Sequence, residues 1–313
     1  MKPTIFIDGQ EGTTGLKIKA QLRGRTDIEQ LTIPVAERKN MEARRERLNS
    51  ADIVFLCLPD QAAREAVALI TNQKTKVIDA STAHRTAPGW TYGFPELTKE
   101  RRAEIKYSMR VANPGCHATG FLAVVTPLMK AGMLQHDEFL TCHSLTGYSG
   151  GGKTMIAEYE QAGRVASLNA PRIYGLGFAH KHIPEMLAET GLTVKPHFTP
   201  IVANYYSGMA VSVMLHHKQT GLDSAQIHEL LTAHYTGEHF IKIAPFNNSD
   251  NLAIPGFIEA NAHVGTNVLE ILVFGDGEQT LVTARFDNLG KGASGAAIQN
   301  MNLMLGLDET AGL

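Results

Sequence analysis

The segment Thr4-Ile5-Phe6-Ile7-Asp8, followed by Gly9-Gln10-Glu11-Gly12-Thr13-Thr14-Gly15, constrains this chain more than any other. A short apolar run ends at a glycine, and Leu16, Ile18 and Leu22 then recur at helical spacing. The reading is strand, glycine turn, helix. In that context glycines let backbone N–H groups approach a phosphate at the helix N-terminus. The spacing is GxxGxxG rather than GxGxxG, so the turn is a variant of the dinucleotide fingerprint. Taken alone it reads either as a nucleotide site or as a tight strand-to-helix turn of any α/β protein.

The following residues repeat the pattern. Strands are expected at Leu31–Val35, Asp52–Leu58 and Lys76–Ala80, with a fifth around Met109–Ala112. Helices are expected at Lys39–Leu48 and Gln61–Ile70. Asp52-Ile53-Val54-Phe55-Leu56-Cys57-Leu58 is continuously apolar up to Pro59, as a strand buried on both faces requires. Repeated βα units imply an α/β, doubly wound parallel sheet, whose ligands sit at the carboxyl ends of the strands. Gly9, Glu37, Arg38, Pro59 and Ser81 fall there. A dinucleotide fold often places an acid for the ribose after its second strand. Here Glu37 is followed by Arg38 and Lys39, which suit a 2′-phosphate and hence NADP, or else simply begin a solvated helix.

Asn113-Pro114-Gly115-Cys116 delivers a cysteine to the start of a helix expected over Ala118–Gly132. A thiol at a helix N-terminus sits beside unpaired N–H groups and the positive end of the macrodipole, both of which favour thiolate. Cys116 therefore reads as a nucleophile or, blandly, as a small buried hydrophobe. Thr146–Lys153 holds four glycines, hydroxyls and a lysine, either an anion cradle or a ligand-free loop. His180 and His182 precede a helix and could bind metal, pack, or trade protons with Cys116. No third ligand stands at a recognisable spacing, so no metal is expected.

Long strand-like runs at Pro196–Asn204, Met209–His217 and Phe240–Ala244, with a hairpin over Asn267–Asp287, indicate an α+β second domain on a mostly antiparallel sheet. One helix, Ser224–Tyr235, interrupts them. Such a sheet leaves a face for a partner, so a homo-oligomer (dimer or tetramer) is expected. The glycine-rich Asn288–Ala296 opens a last helix that returns to the first domain.

With 313 residues, 43% hydrophobic and a net charge of −2, the chain can bury two medium domains and lacks the basic surface that nucleic acid or an anionic membrane would need. Three scattered cysteines, Cys57, Cys116 and Cys142, make no disulfide framework. No signal peptide and no run near the ~18–20 apolar residues of a membrane span are seen. A cytoplasmic protein is expected.

Taken together, these segments resemble the short form of the N-acetyl-γ-glutamyl-phosphate reductases, within the aspartate-semialdehyde dehydrogenase-like superfamily. The resemblance rests on Asp8–Gly15, Asp79–Thr86, Asn113–Cys116, His180–Glu185 and Asn288–Ala296. It departs from the long form in a shorter first domain and in Ala80–Arg85. It implies a Rossmann-type NADP domain over 1–115, completed by 288–313, and a catalytic and oligomerisation domain over 116–287. It further implies reduction of an acyl phosphate in arginine biosynthesis, with Cys116 as nucleophile and His180 or His182 as acid–base. Gly9, Gly12, Thr13, Thr14, Gly15, Arg38, Ser81, Asn288 and Lys291 would hold NADPH. Arg85, Asn113, Ser149 and Gly150 would hold the substrate and its leaving phosphate, with Cys57 and Cys142 in the core. Rival readings are another acyl-phosphate reductase, a nucleotide-binding redox sensor and a cysteine hydrolase.

Overall fold

In the computed structural model, which describes residues 2–38 and 40–313, the chain divides into two units, Met1–Gly115 with Ala293–Leu313, and Cys116–Gly292. The first unit runs β1 (Thr4–Asp8), α1 (Thr13–Gln21), β2 (Glu29–Leu31), α2 (Met41–Ser50), β3 (Ile53–Leu56), α3 (Asp60–Leu69), β4 (Lys76–Asp79), β5 (Thr91–Tyr92), α4 (Arg101–Tyr107) and β6 (Arg110–Ala112). Its strands pair in the order β2-β1-β3-β4-β6-β5, all in parallel. The order reverses between β1 and β3, the switch point where such sheets open a crevice beyond their carboxyl ends. The second strand lies earlier than the expected Leu31–Val35. Pro34 has no N–H for a ladder and turns the chain into a 3₁₀ turn at Val35–Glu37, so pairing stops at Leu31. Lys39 lies outside the described residues. The two-residue β5 is too short for any periodicity to reveal.

The second unit runs α5 (Cys116–Lys130), β7 (Thr141–Gly147), α6 (Gly152–Glu160), β8 (Arg172–Ile173), α7 (Ile183–Thr190), β9 (His197–Ala203), β10 (Met209–His216), α8 (His217–Thr220), α9 (Ser224–Tyr235), β11 (Ile241–Ile243), β12 (Leu269–Gly275) and β13 (Gln279–Phe286). Its seven strands pair in the order β11-β12-β13-β10-β7-β9-β8. Two pairs, β11–β12 and β7–β9, are parallel and the other four antiparallel. The helix α5 lies on one face: a Cβ on Gly120 would stand 2.4 Å from Val211 Cγ2, so only glycine lets the helix come this close to β10. Strand alternation puts the half-buried Leu145, Ile201, Met214 and Leu281 on the opposite face.

The chain then re-enters the first unit through α10 (Gly295–Leu305). Ile298 and Met301 of α10 pack with Ile18 of α1 against Ile5, Ile7, Phe55, Ile78 and Val111. Leu48 of α2 and Ala63 and Ala66 of α3 cover the other face over Phe6, Val54 and Val77. Helices on both faces make the sheet doubly wound, and each fully buried aliphatic contributes about 1.5–3 kcal/mol. The return falls at Ala293 rather than the expected Asn288. Residues 288–292 stay with the second unit because Asn288 is bonded to Ser149, Ser207 and Gly208.

Candidate active site

The turn after β1 is shaped by contact rather than by glycine flexibility alone. Gly9 adopts φ +83°, and a Cβ there would lie 2.3 Å from the Cys57 carbonyl oxygen; a Cβ on Gly15 would lie 2.6 Å from the Gly9 oxygen. The Gly12 N–H donates to Gly9 O at 3.1 Å, and α1 starts with no side-chain cap. The first-turn N–H groups of Thr13, Thr14 and Gly15 therefore have no partner inside the helix. Thr13 Oγ1 is buried, and among the described residues it has no hydrogen-bond partner. Outward donors, an orphaned hydroxyl and no Cβ in the way fit the diphosphate of a dinucleotide. Arg38 follows the 3₁₀ turn, and its Nη1 pairs with Glu11 of the same glycine turn at 2.5 Å. Its buried Nε has no partner among the described residues.

Ser81 and Arg85 flank the end of β4. The Ser81 hydroxyl donates to Asp79 at 2.7 Å, the Ser81 N–H donates to the same carboxylate, and His84 Nδ1 meets it at 2.6 Å while stacking on Trp90. The hydroxyl proton of Ser81 is thus committed, and its oxygen also accepts the Ala83 N–H at 3.1 Å. Arg85 Nε donates to the Asn113 carbonyl at 3.0 Å. Asn113 is buried, its amide donating to Ala293 O and accepting from Asn300 of α10. Its side chain holds the strand end in place.

Cys116 is the first residue of α5, two positions ahead of the expected start, and is half-buried. The neighbouring His117 is buried, with Nδ1 2.6 Å from Ser144 Oγ on β7 and Nε2 2.7 Å from the Tyr174 hydroxyl. His180 and His182 crowd the same ring, with centroids 5.3 and 5.4 Å away. The chain reaches His180 through Phe178, which takes φ +52°, an uncommon conformation for a bulky side chain. The His182 N–H donates to His180 Nδ1 at 3.2 Å, so neutral His180 carries its proton on Nε2. Burial, with the nearby His180 and Lys181, pushes His117 down to about 3, keeping it neutral. Burial and the neighbouring Cys116 push the Tyr174 hydroxyl up. Burial likewise raises Cys57 to about 12 and holds Cys142 protonated. The imidazoles stand edge-to-face or tilted, and among the described residues no group of three or more His, Cys, Asp or Glu is arranged to hold a metal ion.

The loop after β7 is more committed than its composition suggests. The N–H groups of Gly147, Tyr148 and Ser149 donate to carbonyls of Gly208, Tyr205 and Tyr206, so three donors of the expected cradle are taken. Ser149 is buried and accepts from Asn288 at 3.1 Å, while Gly150 is exposed beside it. Asn288 also accepts from Ser207 and from the Gly208 N–H. Lys291 is fully buried with Nζ 5.5 Å from the Phe240 ring centre.

Comparison with known proteins bears on both units. The semialdehyde dehydrogenase NAD binding domain matches residues 10–105, and the semialdehyde dehydrogenase dimerisation domain matches residues 116–288. N-acetyl-gamma-glutamyl-phosphate reductase 2 of Nostoc is 46% identical over 100% of this chain and 99% of its own length. The reductase 2 of Pseudomonas putida is 48% identical over 97% of both. The chain belongs to the N-acetyl-gamma-glutamyl-phosphate reductase family. The aspartate semialdehyde dehydrogenase of Francisella tularensis has the same fold, with a TM-score of 0.73 at 12% identity over 97% of this chain and 100% of that one. Beside the residues expected of such a reductase, the structure brings in His117, Ser144 and Tyr174. Only His117, adjacent to the cysteine, carried a sequence signal; its partners lie 27 and 57 residues away.

Proposed function

We propose that this chain catalyses the NADPH-dependent reductive dephosphorylation of N-acetyl-γ-glutamyl phosphate to the γ-semialdehyde, a step of arginine biosynthesis, in the cytoplasm and as a homo-oligomer. The observation that carries the reading is Cys116 at the start of a buried helix, with His180 and His182 gathered around the ring of the next residue, His117. The thiol proton passes to the histidine pair, and the thiolate attacks the γ-acyl carbon. A carbon–sulfur bond forms, the carbon–oxygen bond to phosphate breaks, and phosphate leaves a thioester on Cys116. When bound, NADPH supplies the hydride that reduces this carbon. The histidine pair then returns its proton as the carbon–sulfur bond of the thiohemiacetal breaks and the aldehyde departs.

The glycine turn at Gly9–Gly15 and Ser81 would hold the cofactor, with Arg38 Nε on the 2′-phosphate; Asn288 and Lys291 would close over its nicotinamide half. Ser149 and Gly150 would take the leaving phosphate, with Arg85 and Asn113 near the substrate. The half-buried face with Leu145 and Met214 would join protomers. The reverse assay tests the reading: N-acetylglutamate semialdehyde, phosphate and NADP⁺ should yield NADPH only when phosphate is present. Arg38→Ala should raise KM for NADP⁺ by about tenfold or more and leave that for NAD⁺ unchanged, the loss of one charge-assisted contact. Activity confined to aspartate semialdehyde would move the substrate assignment, and equal effects on both cofactors would remove the 2′-phosphate role of Arg38.

A further inference from the structure

Two ion pairs join the segment after β2 to the strand and turn that open the chain, and the one between Arg44 and Asp8 is largely buried. Asp8 is the last residue of β1, opposite Leu56 of β3, so it stands at the switch point where the crevice opens. Strand alternation puts its side chain on the same side as Phe6, the side that α2 covers. Leu48 of α2 packs into that core, and Arg44, one turn earlier on the same helix face, reaches the strand end. Arg44 Nη2 meets Asp8 Oδ2 at 2.7 Å, with the two side chains 16% and 9% exposed. Among the described residues Arg44 is the one partner of the Asp8 carboxylate. That charge is felt nearby: burial, then Asp79 and Asp8, push the Cys57 thiol up to about 12. Gly9 follows Asp8 directly, and with it the turn whose first-turn N–H groups have no partner inside α1. A buried carboxylate left unpaired at that point would repel the anion those groups attract.

We propose that Arg44 is a positioning residue of the cofactor site, neutralising the buried Asp8 carboxylate so that the crevice accepts a negatively charged dinucleotide. The inference rests on the glycine turn as the seat of the cofactor. Arg44 acts through Asp8, and its role differs from that of Arg38. Arg38 would recognise the 2′-phosphate that separates NADP from NAD, whereas Asp8 adjoins the turn for the diphosphate that both carry. Removing Arg44 alone leaves a buried charge with no counter-charge; removing both partners leaves neither.

The test is calorimetric titration of the full chain with NADP⁺ and with NAD⁺, no substrate present. Arg44→Gln should weaken both by about tenfold, the effect of one uncompensated like charge close to the ligand. Combining Asp8→Asn with Arg44→Gln should bring both affinities back to within about twofold of the parent. A mere tether between α2 and β1 would be as absent from the double variant as from the single one, so recovery separates charge from scaffolding. A loss that Asp8→Asn does not recover, or no loss in Arg44→Gln, overturns the proposal, as does a loss confined to NADP⁺. Where Arg44→Gln alone does not fold, the double variant still decides, since weak binding by it also overturns the proposal. A parent that binds neither nucleotide refutes the cofactor assignment itself, so that failure is told apart from failure of the role given to Arg44.

Discussion

His117 is a residue whose protonation the fold controls firmly. It titrates near 3 in the folded chain, held there first by burial and then by His180 and Lys181, against an ordinary value of about 6.5 once unfolded. Between those values the unfolded chain takes up a proton that the folded chain refuses. Stability therefore rises with pH in that window and is lost as pH falls below about 6.5, by at most ~1.4 kcal/mol per unit from this one group. Urea midpoints measured from pH 7 to pH 4.5 should show this decline, and His117→Gln should flatten it. An identical slope in the variant would mean that His117 is not neutral in the fold. Cys116 was legible because its signal is local: a Pro-Gly turn, a thiol and a helix start within a few residues. The hydrogen bonds of the neighbouring His117 were not, because Ser144 and Tyr174 come from distant positions that only tertiary structure joins.

At the level of elements, α5 shows how one residue's defect is repaired by another element. Pro127 lies inside the helix and has no N–H to give to the Ala123 carbonyl. The buried Tyr235 hydroxyl, from the end of α9, donates to that carbonyl at 2.8 Å instead. Tyr235→Phe should thus cost about 1–3 kcal/mol in urea unfolding, the penalty of an unsatisfied buried acceptor. Adding Pro127→Ala, which restores the donor, should recover part of it; a Tyr235→Phe protein as stable as the parent would refute this account. The helix α9 itself was legible to the residue because Asp223 and Gln226 form a capping box at its start. The second strand was not: β-branched residues at 32–33 suggested it, and the absent N–H of Pro34 ended it early.

Over the whole molecule, the alternation of apolar runs and helical spacing foretold a parallel sheet followed by a mostly antiparallel one, and both are present. The return of the last helix to the first unit could be read from its glycine-rich entry. Its boundary could not, since it depends on Asn288 bonding to the loop after β7. The chemistry rests on one claim about this architecture: the cysteine that opens the second unit carries the acyl group. The most direct measurement exposes the protein to freshly made N-acetylglutamyl phosphate without cofactor, then follows phosphate release and the intact mass of the quenched chain. One acyl group on Cys116 for each phosphate released, and neither in Cys116→Ala, is the predicted result. Phosphate released with no adduct, or an adduct on another residue, would contradict it.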